Sequence, residues 1–338
     1  MNSTDTRYTQ FALCREMMDT VGVIDRFDPG QTAEAAKAIA NVGRLFLTGE
    51  GSSRIFPAKN AIRKALTWGA DLWIATDGSR QAATYDLSKF AVFGASNSGR
   101  TAEVIAVLEQ LADAGNPNRF GLTANEETIL EQHAATTFVL KCGWEQAVAA
   151  TKSAAEQALV YQSVVSHVAG RDMAKDLDGT ADRVYAALTE KIDGQIVKAL
   201  VNAPTVYFAG YNDGVAEELT LKANEITRKK SDFLEGTYAV HGIEEVMDPR
   251  DVVIVVDPIE AETEKFKKVL VDGVGLTVVA ISSADTPFPT IRVPDAGEMG
   301  PYVLLAAGWN LLVEIGLSLE IDLDKAERAR KVGNEFVG

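Results

Sequence analysis

Five short apolar runs constrain this chain more than any other feature. They are "RLFLTG" (Arg44–Gly49), "FAVFGA" (Phe90–Ala95), "TVYFAG" (Thr205–Gly210), "VVIVVD" (Val252–Asp257) and "LTVVAIS" (Leu276–Ser282). They are rich in β-branched and aromatic residues, nearly continuous in hydrophobicity and bounded by Gly, Pro or Asp, the pattern of a strand covered on both faces. The segments that follow, such as Thr101–Ala114 and Val215–Arg228, carry apolar residues at three- and four-residue spacing and read as amphipathic helices. Strands alternating with helices predict an α/β chain built on parallel sheets. At 338 residues it is long enough for two domains, or for one large domain of two similar halves.

The halves are visible as a repeat. Gly49 and Gly210 lie 161 positions apart, and the same shift carries Ser96 onto Asp257, each at the end of a run. Two similarly wound lobes are expected, with the boundary inside Arg171–Ala203. The expected division is an N-terminal helical segment over residues 1–35, a first lobe over 36–170 and a second over 190–338. Where the first lobe has "SNSGRT", the second has "DPIEAE". The fold does not demand the Ser/Asn/Gly cluster, because only one copy carries it.

Composition narrows the classes of function. A formal net charge of −15 repels a phosphate backbone and disfavours a general nucleic-acid binder, while leaving room for a small anion in a local pocket. Cys14 and Cys142 are far apart, and His133, His167 and His241 form no HExxH-like pair, so neither a disulfide framework nor a metal centre is expected. "MNSTDTRYTQ" lacks a signal-peptide core, and a reducing cytoplasm is the expected location. The most apolar stretch, Val303–Leu319, contains Asn310 and Glu314 and reads as a buried helix, not as a membrane span.

In a parallel α/β sheet, ligands bind outside the carboxyl ends of the strands. "ASNSGRT" after the second run leads into a helix. It presents hydroxyls, backbone N–H groups and a helix N-terminus to one point, which is how a phosphate is held. A turn with an N-cap accounts for one hydroxyl, but not for Ser96, Ser98 and Thr101 together. "GEGSS" (Gly49–Ser53) offers a second Gly/Ser loop at the end of the first run. Neither loop is a Walker loop or a GxGxxG fingerprint, so a dehydrogenase is disfavoured.

These two loops resemble those of the sugar isomerase (SIS) domain family, in particular its double-domain phosphosugar isomerases. The resemblance runs from the first strand to the C-terminus and implies two flavodoxin-like lobes. It implies that Ser96, Asn97, Ser98 and Thr101 cradle the anion, with Ser52 and Ser53 beside them. "EQAVAATK" (Glu145–Lys152), with Val148 at its centre, is similar to the family's third sugar-contacting segment. The chain departs from the family at Ala150, where a serine is usual, and at Arg100, where an acidic residue is common. Arg100 adds positive charge near the anion and admits another C6 anion, such as a sulfonate.

On the helix after the third run, Glu218, Lys222 and Glu225 are four and three residues apart and share one face. Alone, such a triplet reads as an exposed salt-bridged face, and His241 alone reads as a structural or surface histidine. The family resemblance implies more. A helix lysine, a glutamate three residues on and a histidine sixteen after that carry the family's reaction, and here these are Lys222, Glu225 and His241. Glu218 is an expected substrate contact. "DKAERARKV" (Asp324–Val332) resembles the closing motif, with Lys331 as its lysine and with Ala326 and Glu327 in place of the usual Pro and Arg.

The implied activity is isomerisation of a 6-phosphorylated, or otherwise C6-anionic, aldose or ketose through an enediol or enolamine. Glu225 would shuttle the proton, His241 would open the ring, and Lys222 and Lys331 would stabilise charge on oxygen, with no metal or redox cofactor required. The alternatives are an amino-sugar-phosphate deaminase, a fructosamine-6-phosphate deglycase, or a non-catalytic sugar-phosphate sensor. The sensor is disfavoured because only 43 residues precede Arg44, too few for the usual DNA-binding helix-turn-helix. No N-terminal nucleophilic cysteine is seen, so glutamine-dependent synthesis is not expected. The resemblance also implies a homodimer in which His241 reaches a neighbouring subunit's site.

Overall fold

The structure, a computed structural model, describes residues 1–328. They divide into two compact units. The first comprises Gly22–Glu145 and Ala150–Leu177; the second comprises Met1–Val21, Gln146–Ala149 and Asp178–Glu327.

Each unit is built on one five-stranded parallel sheet. The first has β1 (Arg44–Gly49), β2 (Trp73–Gly78), β3 (Ala91–Ala95), β4 (Arg119–Thr123) and β5 (Thr136–Val139), in the order β2-β1-β3-β4-β5. The second has β6 (Thr205–Gly210), β7 (Lys230–Glu235), β8 (Val252–Val256), β9 (Thr277–Ser282) and β10 (Thr290–Arg292), in the order β10-β9-β8-β6-β7. This is the same winding twice. The 161-residue repeat holds to the residue at its centre: adding 161 to the bounds of β1 and β3 gives those of β6 and β8. In both sheets the winding reverses beside the first strand, at β1/β3 and at β6/β8, the crevice where such sheets bind ligands.

The five strands expected from apolar runs are all present. Those not expected explain themselves by position. β2, β5, β7 and β10 lie at sheet edges, where one side is open and polar residues such as Thr76, Asp77 and Lys230 are tolerated. β4 is internal but short, and Gly121 interrupts its apolar run.

Five helices carry or pack against the residues of interest: α1 (Ala12–Asp25), α2 (Ala102–Asp113), α3 (Lys152–Val168), α4 (Val215–Lys222) and α5 (Gly300–Ser318). The apolar stretch that includes α5 is long enough to span a membrane by composition, yet 78% of its apolar window is buried. Asn310, fully buried on it, accepts from the Met1 amine at 2.6 Å and donates to Glu190 O at 2.7 Å. α5 is therefore a core helix whose buried Asn310 is satisfied by hydrogen bonds. Cys14 and Cys142 are buried free thiols.

The N-terminal segment 1–35 is not a body of its own, because Met1–Val21 belongs to the second unit and Gly22 onward to the first. Ion pairing fixes the start of the chain: Arg7 bonds Glu314 at 2.9 Å, and Asp324 caps α1 by accepting from the Ala12 and Leu13 N–H groups at 2.7 and 2.9 Å. The main stretch of the second unit begins at Asp178, before the expected residue 190, because helix Thr180–Thr189 packs its apolar residues there.

Candidate active site

In the first unit, β1 and β3 run side by side with Gly49 paired to Ala95. A Cβ on Gly49 would stand 2.9 Å from Ala95 O and 3.0 Å from Ser53 O, so only glycine lets the two following loops close on each other. The Gly51–Ser53 turn thus lies against the end of β3, with Ser52 buried and Ser53 half-buried.

The loop after β3 converges on its hydroxyls. Ser96, 1% exposed, shares a hydrogen bond with Thr101 Oγ1 at 2.8 Å and lies 3.5 Å from Ser98 Oγ. The Thr101 N–H donates to Ser96 Oγ at 3.3 Å, and the Arg100 N–H donates to Ser98 Oγ at 3.2 Å. Gly99, at φ +65°, makes the turn. Thr101 holds the N-cap position of α2, but its hydroxyl makes no capping bond. Simple helix capping therefore does not explain it. Ser96, Ser98 and Thr101 form one hydroxyl cluster at a helix N-terminus, the chemistry of an anion cradle. Arg100 is exposed beside it.

Asn97 faces elsewhere than the sequence led one to expect. Its Nδ2 donates to Glu145 Oε2 at 3.2 Å. Its backbone oxygen accepts from the Ala124 N–H at 3.1 Å and from Asn125 Nδ2 at 2.9 Å. Glu145, 1% exposed, also accepts from Thr151 N at 2.8 Å, from Thr151 Oγ1 at 3.2 Å and from the Ser153 hydroxyl. The middle of the "EQAVAATK" segment, with half-buried Val148, belongs to the second unit. There the Gln146 and Ala147 N–H groups donate to the buried Glu16 of α1.

In the second unit, α4 passes into a π-helical turn over Ala223–Thr227 and ends at Arg228, at φ +55°. The sequence predicted one uninterrupted helix here. Glycines on α5 let the core come close: a Cβ on Gly308 would meet the Leu219 side chain, and one on Gly316 would stand 3.2 Å from Ile226 O. Glu218, Lys222 and Glu225 come together as expected, but with Glu218 and Lys222 buried in place of an exposed face. Lys222 Nζ lies 3.2 Å from Glu218 and 2.7 Å from Glu225. Glu218 and Lys222 are fully buried, while the Glu225 side chain is 27% exposed. Burial alone would lower the Lys222 pKa, but the two carboxylates outweigh it and raise it to about 12. The two carboxylates thus favour the cationic form of Lys222, and Glu225 is the solvent-reachable carboxylate of the triad.

His241 follows the turn Tyr238–Val240 and is exposed, with Nε2 3.0 Å from Lys265 Nζ and no bond to the triad. Lys331 lies outside the described residues. The closing motif before it is anchored: Arg228 bonds Glu327 at 2.7 Å and Lys325 O at 2.9 Å. Glu327 thus has a partner just past the π-helical turn.

At the second unit's strand crossover, Asp213, Asp257 and Glu262 stand 161 positions after Ser52, Ser96 and Thr101. Hydroxyls have become carboxylates, which repel an anion.

No family model matches the chain. It is 23% identical over 337 residues to glutamine–fructose-6-phosphate aminotransferase [isomerizing] of Aeropyrum pernix, a match that covers 92% of this chain and 54% of that relative. The chain thus spans about half the length of that curated relative. Its structure is similar to tagatose-6-phosphate ketose/aldose isomerase of Escherichia coli, with TM-score 0.77, 17% identity, and 97% of this chain and 100% of that one covered. It is also similar to glucosamine-6-phosphate deaminase of Thermotoga maritima, with TM-score 0.73, 18% identity, and 96% and 99% covered. With two parallel five-stranded sheets wound alike, the chain has the two-lobe SIS fold that these phosphosugar enzymes share.

Proposed function

We propose that this protein is an aldose–ketose isomerase acting on a 6-phosphorylated sugar. One observation carries the reading: buried Lys222, its cationic form favoured by its two carboxylate neighbours, holds Glu225, the accessible carboxylate, at 2.7 Å. In this reading Ser96, Ser98 and Thr101 hold the phosphate, and Glu225, Lys222 and His241 are the acid–base and charge-stabilising groups. Glu225 takes the proton from C2 of the open-chain aldose and returns it to C1. As the C2–H bond breaks, its electron pair forms the C1–C2 double bond and the carbonyl pair moves onto O1. The Lys222 charge offsets the negative charge that develops there. Glu218 fixes Lys222 from its buried side. His241 opens the ring and exchanges hydroxyl protons, and Lys331 joins Lys222 in stabilising the oxygen. The surface position of His241 supports its donation to a second copy in a homodimer.

The fold shared with a glucosamine-6-phosphate deaminase supports a second reading, in which the same enolisation leads to loss of ammonia. Arg100 supports C6 anions other than phosphate, sulfonates included. The protein is to be incubated with hexose, amino-sugar and fructosamine phosphates, with detection of ketose and of released amine. Solvent-deuterium exchange at C1 and C2 then reports enolisation whatever the product. Glu225→Gln is expected to keep ligand binding and lose about 10²–10⁴-fold in turnover and exchange. Exchange at the parent rate in that variant would place the base elsewhere, with Glu218 the next candidate.

A further inference from the structure

We propose that Glu145 is a positioning residue that sets the anion loop in its binding geometry, an inference that rests on the phosphate-cradle reading above. Glu145 is 1% exposed and touches two segments of the first unit that are distant in sequence. On one side it accepts from Asn97, the second residue of the hydroxyl loop, 48 positions away. On the other it accepts from Thr151, at N and Oγ1, and from the Ser153 hydroxyl, at the start of α3.

A buried carboxylate only accepts, so every group facing it must donate. This fixes the Asn97 amide: Nδ2 turns to Glu145, and Oδ1 points away, buried and without a hydrogen-bond partner. The Asn97 backbone oxygen is held from the β4 side by Ala124 and Asn125. Asn97 is therefore clasped at both ends, and its neighbours Ser96 and Ser98 are carried with it. The amide does not reach for the anion; it ties the loop down so that the hydroxyls converge. Such preorganisation strengthens binding by removing the cost of ordering the loop when ligand arrives.

The test compares the parent with Glu145→Gln, Ser153→Ala and Asn97→Ala. Inorganic phosphate affinity is measured by calorimetry, with KM, kcat and the thermal midpoint alongside. Glu145→Gln puts an amide N–H among donors. It is expected to weaken phosphate binding and raise KM by about tenfold, the scale of one charge-assisted hydrogen bond, with kcat within about twofold. Ser153→Ala, which removes one hydroxyl from the clasp, is expected to give a smaller rise in both. Asn97→Ala severs the link to the loop and is expected to match Glu145→Gln. A purely structural Glu145 would lower the thermal midpoint and leave phosphate affinity unchanged in the folded variant, which would overturn the proposal. Should Glu145→Gln fail to fold, parent-like phosphate affinity in Asn97→Ala would overturn it equally. A parent protein that binds no phosphate would instead overturn the phosphate-cradle reading, and this proposal with it.

Discussion

Replacing Lys222 with Met tests the buried triad most directly. Methionine keeps the length of the side chain and removes the charge, leaving fully buried Glu218 without the ammonium that lies 3.2 Å away. Breaking a buried pair in this way costs about 3–5 kcal/mol, because the remaining charge stays desolvated. A second route gives the same order of magnitude. The Lys222 pKa rises from 10.5 to about 12 against the opposing pull of burial, a preference for the cation of about 2 kcal/mol. A loss on the order of 3 kcal/mol lowers the melting temperature by roughly 10 °C in a unit of this size. Thermal unfolding followed by circular dichroism measures it. Glu218→Gln added to Lys222→Met removes the stranded charge and is expected to recover most of the loss. Equal midpoints for the single and double variants would refute the coupling. The pH dependence has a definite sign. The folded pKa lies above the unfolded one, so the stabilisation is complete below about pH 10.5 and is lost as pH rises through about 12. The gap between parent and Lys222→Met should thus hold steady from pH 7 to 10; a gap that closed by pH 8 would contradict this account.

Replacing Ser98 and Thr101 together with Ala should raise KM by about 10- to 100-fold and leave kcat nearly unchanged, since these contacts hold ground state and transition state alike; initial-rate kinetics decide. Gly99→Ala places a Cβ 2.4 Å from the Thr128 Cβ at φ +65°. It should cost about 1–2 kcal/mol for the left-handed backbone alone, with weaker phosphate binding measured by calorimetry. Mixing inactive Glu225→Gln and His241→Asn variants should restore some activity after subunit exchange if the histidine crosses a dimer interface. Demonstrated exchange without recovery would place both groups in one subunit.

Sequence patterns reached as far as local geometry reaches. β1, β3, β6, β8 and β9 were legible because a strand covered on both faces must be apolar throughout, whereas the edge strands β2, β5, β7 and β10 are freed from that demand. The grouping of Glu218, Lys222 and Glu225 was legible because helix periodicity alone makes them neighbours. The burial of Glu218 and Lys222 was not, because it depends on α5 closing over α4, where Gly308 admits Leu219. The π-helical turn at Ala223–Thr227 was likewise invisible, since its residues suit an ordinary helix.

By itself, the sequence determined the α/β class, the doubled winding, the two Gly/Ser loops and one face of a helix, all properties of spacing and of neighbouring residues. The tertiary structure alone decided which carboxylates are desolvated and what they hold. Glu145 meets Asn97 across 48 residues, Glu16 meets Gln146 across 130, and Arg228 meets Glu327 across 99. Each pairing links segments that no local pattern connects. Whether a carboxylate is a solvated surface charge or a buried clamp depends on the water it loses when those distant segments fold against it.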